Sequence, residues 1–244
     1  MIIAVTNAAT WATAGEVLTY AGAPIDAVYE ADSGGYTADS ADVWWSALPY
    51  LAAVPEPKGY VSPNRWQITR SATALGAAAA AAGTPTGAVA YLAIVAREVA
   101  SGRVIGLLLG GPKGWAELRD DAVRTGLGLP SNLFVVRTPT EVTVLGAQGR
   151  RRLLGLDAAS AEGAGGQAAL APAQRVAIEA ANAERTLAAA PPSYVFVGRG
   201  DGPGLGMSQD GALFMARHGA TASAILLYYY RGVTVTADDG EGSS

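Results

Sequence analysis

The sequence predicts a single α+β domain, residues 1–244, that is rich in β-strands and ends in a pair of helices. Short runs with apolar residues at alternate positions recur along the chain and favour antiparallel strands. Two short helical patterns, each with a hydroxyl-bearing cap and a terminal glycine, lie close together near the carboxy terminus. The chain has 244 residues, 50% of them hydrophobic, which is ample for a buried core.

Charge and composition exclude several classes of partner and site. The formal net charge is −4 and only 16% of residues are charged, so we predict no nucleic acid partner. The chain has no cysteine and a single histidine, His218, which excludes thiolate and multi-histidine metal sites. A carboxylate site for a hard metal is an alternative that no motif supports, so we predict no metal and no other cofactor. The longest apolar tract, residues 75–82, is far shorter than the roughly 20 residues that cross a bilayer, so no membrane span is predicted.

The first 30 residues are expected to form a small antiparallel sheet. IIAVT is one short strand-like run, and EVLTY and IDAVYEA form a predicted hairpin around a turn at residues 21–24. Four prolines and one glycine over residues 49–66 then predict a surface loop. The first residues lack the basic start and the apolar core of an export signal.

The middle of the chain alternates helical and strand patterns. Helices are predicted over 71–82, 120–125 and 172–190, and strands over 89–96, 104–109 and 133–136. Small residues without any period over 157–171 predict a flexible insertion, and residues 237–244 predict a disordered tail.

The carboxy-terminal helix pair is the clearest local pattern. Ser208 is the predicted cap of the first helix, which ends at Gly219, and Thr221 is the predicted cap of the second, which ends at Gly232. A strand is predicted over 233–236. Ser208 as a nucleophile activated by His218 is an alternative, but the glycine–serine–glycine spacing of a nucleophile elbow is absent, so a helix cap is favoured.

Two segments are candidates for a binding site. The stretch YEADSGGYTADSADVWW, residues 29–45, combines hydroxyls, exposed backbone and flat rings, a mixture suited to the polar and apolar faces of sugars. Its candidate contacts are Tyr29, Ser33, Gly34, Gly35, Thr37 and one of the two tryptophans, for which we take Trp44. The glycine-rich loop GRGDGPGLGMSQDGA supplies a second wall through Gly204, Gly206, Ser208 and Gln209.

The glycine-rich loop also has two alternative interpretations. It can present backbone N–H groups to an anion, although the lysine and hydroxyl of a phosphate-binding P-loop are missing. It can equally be a tight turn packed under a neighbouring loop. Glu30 and Asp32 alternate with Tyr29, so we expect them on the opposite face, solvated and without a catalytic role.

The sequence resembles the SpoIID/LytB family, the stage II sporulation protein D and amidase-enhancer proteins of bacterial cell walls. The resemblance begins with TWATAGEVLTYAGAPIDAVYEADSGGYTADSADVWWSALPYLAAV, continues with SGRVIGLLLGG and LRDDAVRTGLGLPSNLFVV, and ends with GPGLGMSQDGALFMARHGATASAILLYYYRGVTV. It implies a SpoIID-like fold, an extracytoplasmic or wall-associated location, a sporulation-related role and peptidoglycan glycan strands as the ligand.

The resemblance also implies an activity and a set of departures from it. Enzymes of the family resemble lytic transglycosylases, whose catalytic glutamate lies in an amino-terminal block that has no counterpart in this sequence. Pro203 and Glu30 stand where the family has histidines, and Ser33 stands at the place of a zinc-binding cysteine of some members. Two hypotheses therefore remain open: an enzyme that cleaves the glycan strand, or a binding module that modulates a cell-wall amidase.

Overall fold

The computed structural model describes residues 2–44, 46–137, 141–145, 151–155, 160–163, 166–169, 175–180, 183–188 and 193–237. Over these residues the fold is α+β and β-rich, as the sequence predicts. The helices are α1 (Ile2–Ala12), α2 (Ser40–Val43), α3 (Ala72–Ala81), α4 (Asp121–Leu127), α5 (Gln209–Arg217) and α6 (Ala222–Tyr229).

The strands are short and almost all pair antiparallel. They are β1 (Glu16–Tyr20), β2 (Ala23–Pro24), β3 (Tyr29–Glu30), β4 (Arg65–Ser71), β5 (Tyr91–Arg97), β6 (Val104–Gly111), β7 (Gly114–Arg119), β8 (Phe134–Arg137), β9 (Glu141–Leu145), β10 (Arg151–Gly155), β11 (Ser160–Gly163), β12 (Gly166–Ala169), β13 (Arg175–Ala180), β14 (Ala183–Ala188), β15 (Ser193–Arg199), β16 (Met207–Ser208) and β17 (Thr234–Ala237).

The main core lies between two three-stranded sheets and two helices. The strand orders are β4-β15-β8 and β5-β6-β7, and α3 and α4 pack against them. Leu75 of α3, Leu107 of β6 and Phe196 of β15 are fully buried in the same cluster. Burying a side chain of this size stabilises the fold by about 1.5–3 kcal/mol, so this cluster fixes the frame on which the loops are held.

A smaller sheet joins the two ends of the described chain. Its order is β17-β1-β2, and Thr19 of β1 lies opposite Thr234 of β17, with their hydroxyls 2.9 Å apart. The predicted turn between β1 and β2 is confirmed, with Ala21 and Gly22 at positive φ. The predicted second strand of this hairpin, residues 25–31, is wrong: β1 pairs instead with Ala23 and Pro24, which were expected in the turn, and Tyr29 and Glu30 pair with β16.

Most of the local predictions are confirmed. The helix after residue 71 is α3, the strands around Ser101-Gly102 are β5 and β6, and the carboxy-terminal helix pair is α5 and α6. Both predicted caps are present: Ser208 accepts from the N–H of Gly211 at 3.1 Å, and Thr221 accepts from that of Ala224 at 3.2 Å. Strong cap signals thus placed these helices correctly.

Two predictions of secondary structure are wrong. IIAVT was expected to be a strand but begins α1, whose alanine-rich continuation favours a helix. The helix expected over 172–190 is replaced, where the structure describes it, by the antiparallel pair β13 and β14. The β-branched residues Val176, Ile178 and Thr186 favour strands, and they outweigh the helical preference of the alanines around them.

Two further sequence predictions concern segments that the structure describes only in part. The insertion over 157–171 contains the pair β11 and β12, and its other residues lie outside the described ranges, so its flexibility stays a prediction. Ala237 pairs with Glu16 in β17, and residues 238–244 of the predicted tail lie outside the description. None of the described helices is both long and apolar enough to cross a membrane.

Candidate functional site

The two candidate segments meet in a short parallel pair of strands. β3 pairs with β16 so that Tyr29 lies opposite Met207. Just beyond the pair, the backbone N–H of Asp210 donates to the carbonyl oxygen of Ala31 at 3.0 Å. The start of α5 is thereby fixed beside the strand that carries Tyr29. We call the buried polar residues gathered here the polar junction: Glu30, Asp32, Ser33, Glu56, Arg103 and Ser208.

Glu30 forms a buried ion pair in the polar junction. Its Oε1 lies 3.7 Å from Nη2 of Arg103, and both side chains are fully shielded from solvent. Its Oε2 accepts a hydrogen bond of 2.5 Å from the backbone N–H of Gly204. Arg103 also donates to the carbonyl oxygens of Ser33 at 2.5 Å and of Gly202 at 3.5 Å. The ion pair therefore ties three separate segments of the chain together.

Asp32 is fully buried and accepts four hydrogen bonds. Its Oδ1 accepts from the backbone N–H of Gly34 at 2.8 Å and from the hydroxyl of Tyr60 at 2.6 Å. Its Oδ2 accepts from the hydroxyl of Ser62 at 2.5 Å and from the amide of Asn64 at 3.1 Å. Burial acts to raise the pKa of Asp32, but these hydrogen bonds outweigh it and lower the pKa below its ordinary value. Asp32 is thus an ionised anchor for the loop before β4.

Glu56 is the third carboxyl group of the polar junction. It accepts hydrogen bonds from the hydroxyls of Ser33 at 2.5 Å and of Tyr229 at 2.6 Å. The first turn of α5 approaches so closely that a Cβ on Gly211 would lie 2.0 Å from Oε2 of Glu56. Burial raises the pKa of Glu56, although hydrogen bonds from Ser33, Tyr229 and Ser208 act in the opposite direction.

The prediction that Glu30 and Asp32 are solvated is wrong. Their exposed fractions are 4% and 0%, whereas that of Tyr29 is 62%. The alternation correctly places both acids opposite Tyr29, but the face that they share is the inner one. The guanidinium of Arg103 offsets the lost hydration of Glu30, and the hydroxyl donors around Asp32 offset that of Asp32. Because the acids occupy the inner face, Tyr29 lies at the surface.

Glycines in the loop before β16 permit this close packing. Gly204 and Gly206 have φ angles of +96° and +72°, which side chains rarely adopt. A Cβ on Gly204 would lie 2.1 Å from Nε of Arg103, and one on Gly206 would lie 1.8 Å from the carbonyl oxygen of Val28. Of the two interpretations of this loop, the tight packed turn is the one that the structure shows.

A further block of the resemblance closes the same junction. The hydroxyl of Ser131 donates to the carbonyl oxygen of Arg199 at 2.6 Å, and the N–H of Gly202 donates to that of Pro130 at 2.9 Å. Arg103 comes from the block SGRVIGLLLGG. Every sequence block that carries the family resemblance therefore contributes to the polar junction or packs directly against it.

The residues predicted to contact a ligand differ in exposure. The buried ones are Ser33, Gly34, Thr37, Gly204, Gly206 and Ser208. The half-buried ones are Gly35 and Trp44, and the exposed ones are Tyr29 and Gln209. Thr37 illustrates the buried group, since its hydroxyl exchanges two hydrogen bonds with the backbone of Val54, at 2.7 and 3.3 Å. Trp45, the partner of Trp44 in the sequence, lies outside the described residues.

Several residues of the site were missed by sequence reasoning. They are Glu56, Tyr60, Ser62 and Asn64, from the loop before β4, and Arg103, from the start of β6. The prolines of the loop predict a surface position, and Arg103 directly follows the predicted hairpin turn at Ser101-Gly102, where an exposed side chain is the ordinary expectation. The one signal that would have found the loop residues is the series of polar side chains between its prolines.

The carboxyl groups of the polar junction are engaged in contacts within the fold. Glu30, Asp32 and Glu56 each direct oxygens at a cation, at hydroxyls or at backbone N–H groups. Within the described ranges, no group of three or more histidines, cysteines or acids is arranged to hold a metal ion. The polar junction therefore supports the fold, and the exposed residues next to it lie on β3 and α5.

The pH dependence of stability tests the burial of Glu30. Burial raises the pKa of Glu30 from its ordinary 4.5 to about 7, because Arg103 and the N–H of Gly204 offset only part of the lost hydration. The folded chain thus binds this proton more tightly than the unfolded chain does. This difference in proton binding stabilises the fold by about 3 kcal/mol. The stabilisation is fully present below pH 4.5 and is lost as the pH rises through 7.

Urea unfolding of the wild type and of Glu30→Gln at pH 4.5, 6 and 8 measures this contribution. We expect the free energy of unfolding of the wild type to fall with pH by about 3 kcal/mol relative to that of the variant. Glu117→Gln, at a partly exposed acid of β7, is the control and should keep the wild-type profile. If the free energies of unfolding of the wild type and of Glu30→Gln changed with pH in the same way, the raised pKa of the buried Glu30 carboxyl group would be contradicted.

Comparison with known proteins confirms the resemblance to the SpoIID/LytB family. The chain is 29% identical, over 93% of its length, to stage II sporulation protein D of Bacillus subtilis, of which it covers 50%. It is 29% identical, over 95% of its length, to the amidase enhancer of the same organism, of which it covers 32%. Stage II sporulation protein D of Bacillus amyloliquefaciens is 25% identical over 96% of the chain and is covered to 52%.

These proteins are homologues of the chain, and the similarity extends over nearly all of it. The chain spans about half the length of the two sporulation proteins and about a third of the amidase enhancer. No protein-family model matches the chain.

Proposed function

We propose that the chain binds the glycan strand of peptidoglycan, as part of a cell-wall protein that works outside the cytoplasmic membrane. The names of its homologues, stage II sporulation protein D and amidase enhancer, support a role in the remodelling of the cell wall during sporulation. The similarity extends over 93% and 95% of the chain in these two comparisons, which includes most of the chain around the polar junction.

The exposed side of β3 carries the proposal. Tyr29 is 62% exposed although its backbone is fixed by the pairing with β16, and Gln209 is exposed at the start of α5. Neither side chain makes a hydrogen bond within the described part of the chain. An exposed aromatic ring on one segment and an exposed amide on the segment paired with it suit a sugar, whose C–H face packs on a ring while its hydroxyls bond to an amide.

Binding is favoured over cleavage by the state of the acids. Glycan cleavage requires a carboxylic acid that reaches the glycosidic oxygen. Glu30 has the raised pKa of such an acid, but it is buried and held by Arg103 and Gly204. Asp32 is ionised and bonded on both oxygens. We therefore assign these residues to the support of the binding surface and give them no role in chemistry.

Sedimentation with purified peptidoglycan sacculi tests the binding proposal. We expect the wild type to pellet with sacculi and Tyr29→Ala to bind about 2- to 10-fold more weakly, the loss of one stacking contact. Tyr91→Ala is the matched control, because Tyr91 is also an exposed tyrosine on a strand but lies in the β5-β6-β7 sheet. Equal binding by all three proteins, or no binding by the wild type, would refute the proposal.

The same incubation separates binding from cleavage. Soluble fragments that end in an anhydro ring would identify the chain as a lytic enzyme. We expect the sacculi to release none above the buffer control while retaining the bound chain.

A second candidate function is the modulation of a cell-wall amidase. The 29% identity to an amidase enhancer over 95% of the chain supports it. Adding the chain to sacculi and a purified amidase should then increase the release of free peptides. Tyr29→Ala should reduce this increase in proportion to its weaker binding, whereas an unchanged rate of release with the wild type would exclude this function.

A further inference from the structure

Three arginines line an open pocket that includes neither Tyr29 nor Gln209. The pocket has a volume of about 600 Å³ and includes Arg65 of β4, Arg97 of β5 and Arg199 of β15. Val135 and Val197 supply apolar lining, and no acidic residue lines it. We call it the arginine pocket. Its charge contrasts with that of the whole chain, which is −4.

The pairing of the strands brings two of these cations together. Arg65 and Arg199 lie directly opposite each other in the antiparallel pair of β4 and β15. Side chains at such positions point to the same side of the sheet, and like charges there are destabilising. Both residues are exposed, and among the described residues no carboxylate lies within ion-pair distance of either. The fold thus tolerates a repulsion that it does not neutralise.

The third cation has a fixed orientation. One nitrogen of Arg97 donates to the carbonyl oxygen of Gly102 at 2.6 Å, and another donates to that of Phe134 at 3.1 Å. These two bonds hold the guanidinium at the border of the pocket without cancelling its charge. A bound anion would meet one pre-oriented cation and two whose mutual repulsion it relieves, which are favourable conditions for binding.

The residues that line the pocket limit the kinds of anion that would fit it. The row of the sheet next to the arginine pair, on the same side, consists of Gln67, Val197 and Val135. An anionic group at the arginines would therefore have a small apolar surface and one amide beside it. A free carboxylate at the end of a short peptide of small residues matches this arrangement, because the planar fork of arginine pairs well with a carboxylate and the valines accept methyl groups.

We propose that the arginine pocket binds the terminal carboxylate of a short, small-residue peptide. The proposal is independent of glycan binding at Tyr29, since the two sets of residues do not overlap. A loss of one activity without the other therefore identifies which proposal has failed.

Titration of the isotope-labelled chain by NMR tests the proposal with N-acetyl-alanyl-alanine as the probe. We expect saturable shifts of the signals of Val135, Val197 and the Trp66 indole, with a Kd on the order of 1 mM, as for a small ligand. The carboxamide of the same dipeptide should cause no shifts. Equal shifts with the carboxamide, or none with the acid, would overturn the proposal. Inorganic phosphate binding as tightly as the acid would show an unselective anion site and would also overturn it.

A substitution distinguishes a binding role of the arginines from a structural one. In Arg199→Gln we expect at least a 10-fold loss of affinity for the probe, together with a rise of about 1–3 °C in the Tm of the free chain, because the repulsion with Arg65 is removed. Arg137→Gln, an exposed arginine of the same sheet outside the pocket, should change neither. A lower Tm together with unchanged affinity would assign Arg199 to the fold alone and contradict the proposal.

Discussion

Gly206→Ala is expected to remove most of the stability of the domain. A Cβ at this position would lie 1.8 Å from the carbonyl oxygen of Val28. That oxygen is not free to move, because it accepts hydrogen bonds from the N–H of Met207 at 3.1 Å and the hydroxyl of Tyr230 at 2.8 Å. The substitution therefore separates β3 from β16, and we expect a loss of about 4 kcal/mol or more in the free energy of unfolding.

Gly219→Ala separates this effect from backbone strain. Gly219 also has a positive φ, +88°, but nothing lies within 4 Å of its Cβ position. Its substitution should cost only about 1 kcal/mol, the strain of a left-handed conformation. Urea unfolding followed by tryptophan fluorescence measures both losses, and recovery of Gly206→Ala only as unfolded protein counts as the expected result. Losses of similar size would show that β3 and β16 are not in close contact.

Arg103→Met is the second substitution with a large expected effect. It removes the counter-charge of Glu30 and the donor to the carbonyl oxygen of Ser33 while keeping an apolar side chain of similar length. Breaking a buried ion pair by removing one partner costs about 3–5 kcal/mol, because the remaining charge is left without compensation. We expect a loss of this size at pH 8 and a smaller loss at pH 5, where Glu30 is protonated.

The double variant isolates the ion pair from the rest of the packing. If Glu30 is the group left uncompensated, Glu30→Gln should restore about 0.5–3 kcal/mol to Arg103→Met at pH 8. Arg119→Met is the control, because the ion pair of Arg119 with Glu117 is largely exposed and should contribute less than about 1 kcal/mol. An Arg103→Met variant as stable as the Arg119→Met control would contradict the buried pair.

The polar junction shows where sequence reasoning stops. Alternation in YEADSGG correctly separates Tyr29 from Glu30 and Asp32, but it does not tell which face is inside. That choice depends on Arg103 and on Tyr60, residues remote in the sequence that the fold brings into contact with the two acids. Without these partners, burying an acid is unfavourable, so the sequence alone favours the solvated position.

Sequence patterns predict secondary structure correctly where the residues that determine it lie within a few positions of one another. The caps Ser208 and Thr221 bond to N–H groups three residues later, so the start of each helix is encoded nearby. The same reasoning failed over residues 172–190, where alanine-rich composition favours a helix and the described backbone is instead paired as β13 and β14. The pairing of strands is a contact between segments, and propensities of single residues do not report it.

The sheet that joins β1 to β17 has a consequence for the synthesis of the protein. The contact between Thr19 and Thr234 spans 215 positions of the chain. Loops of this length close slowly, and β1 has no long partner strand until β17 has been synthesised. Until then β1 can pair only with the two residues of β2, so this sheet is completed after the residues between β2 and β17 have folded or been held unfolded by a chaperone.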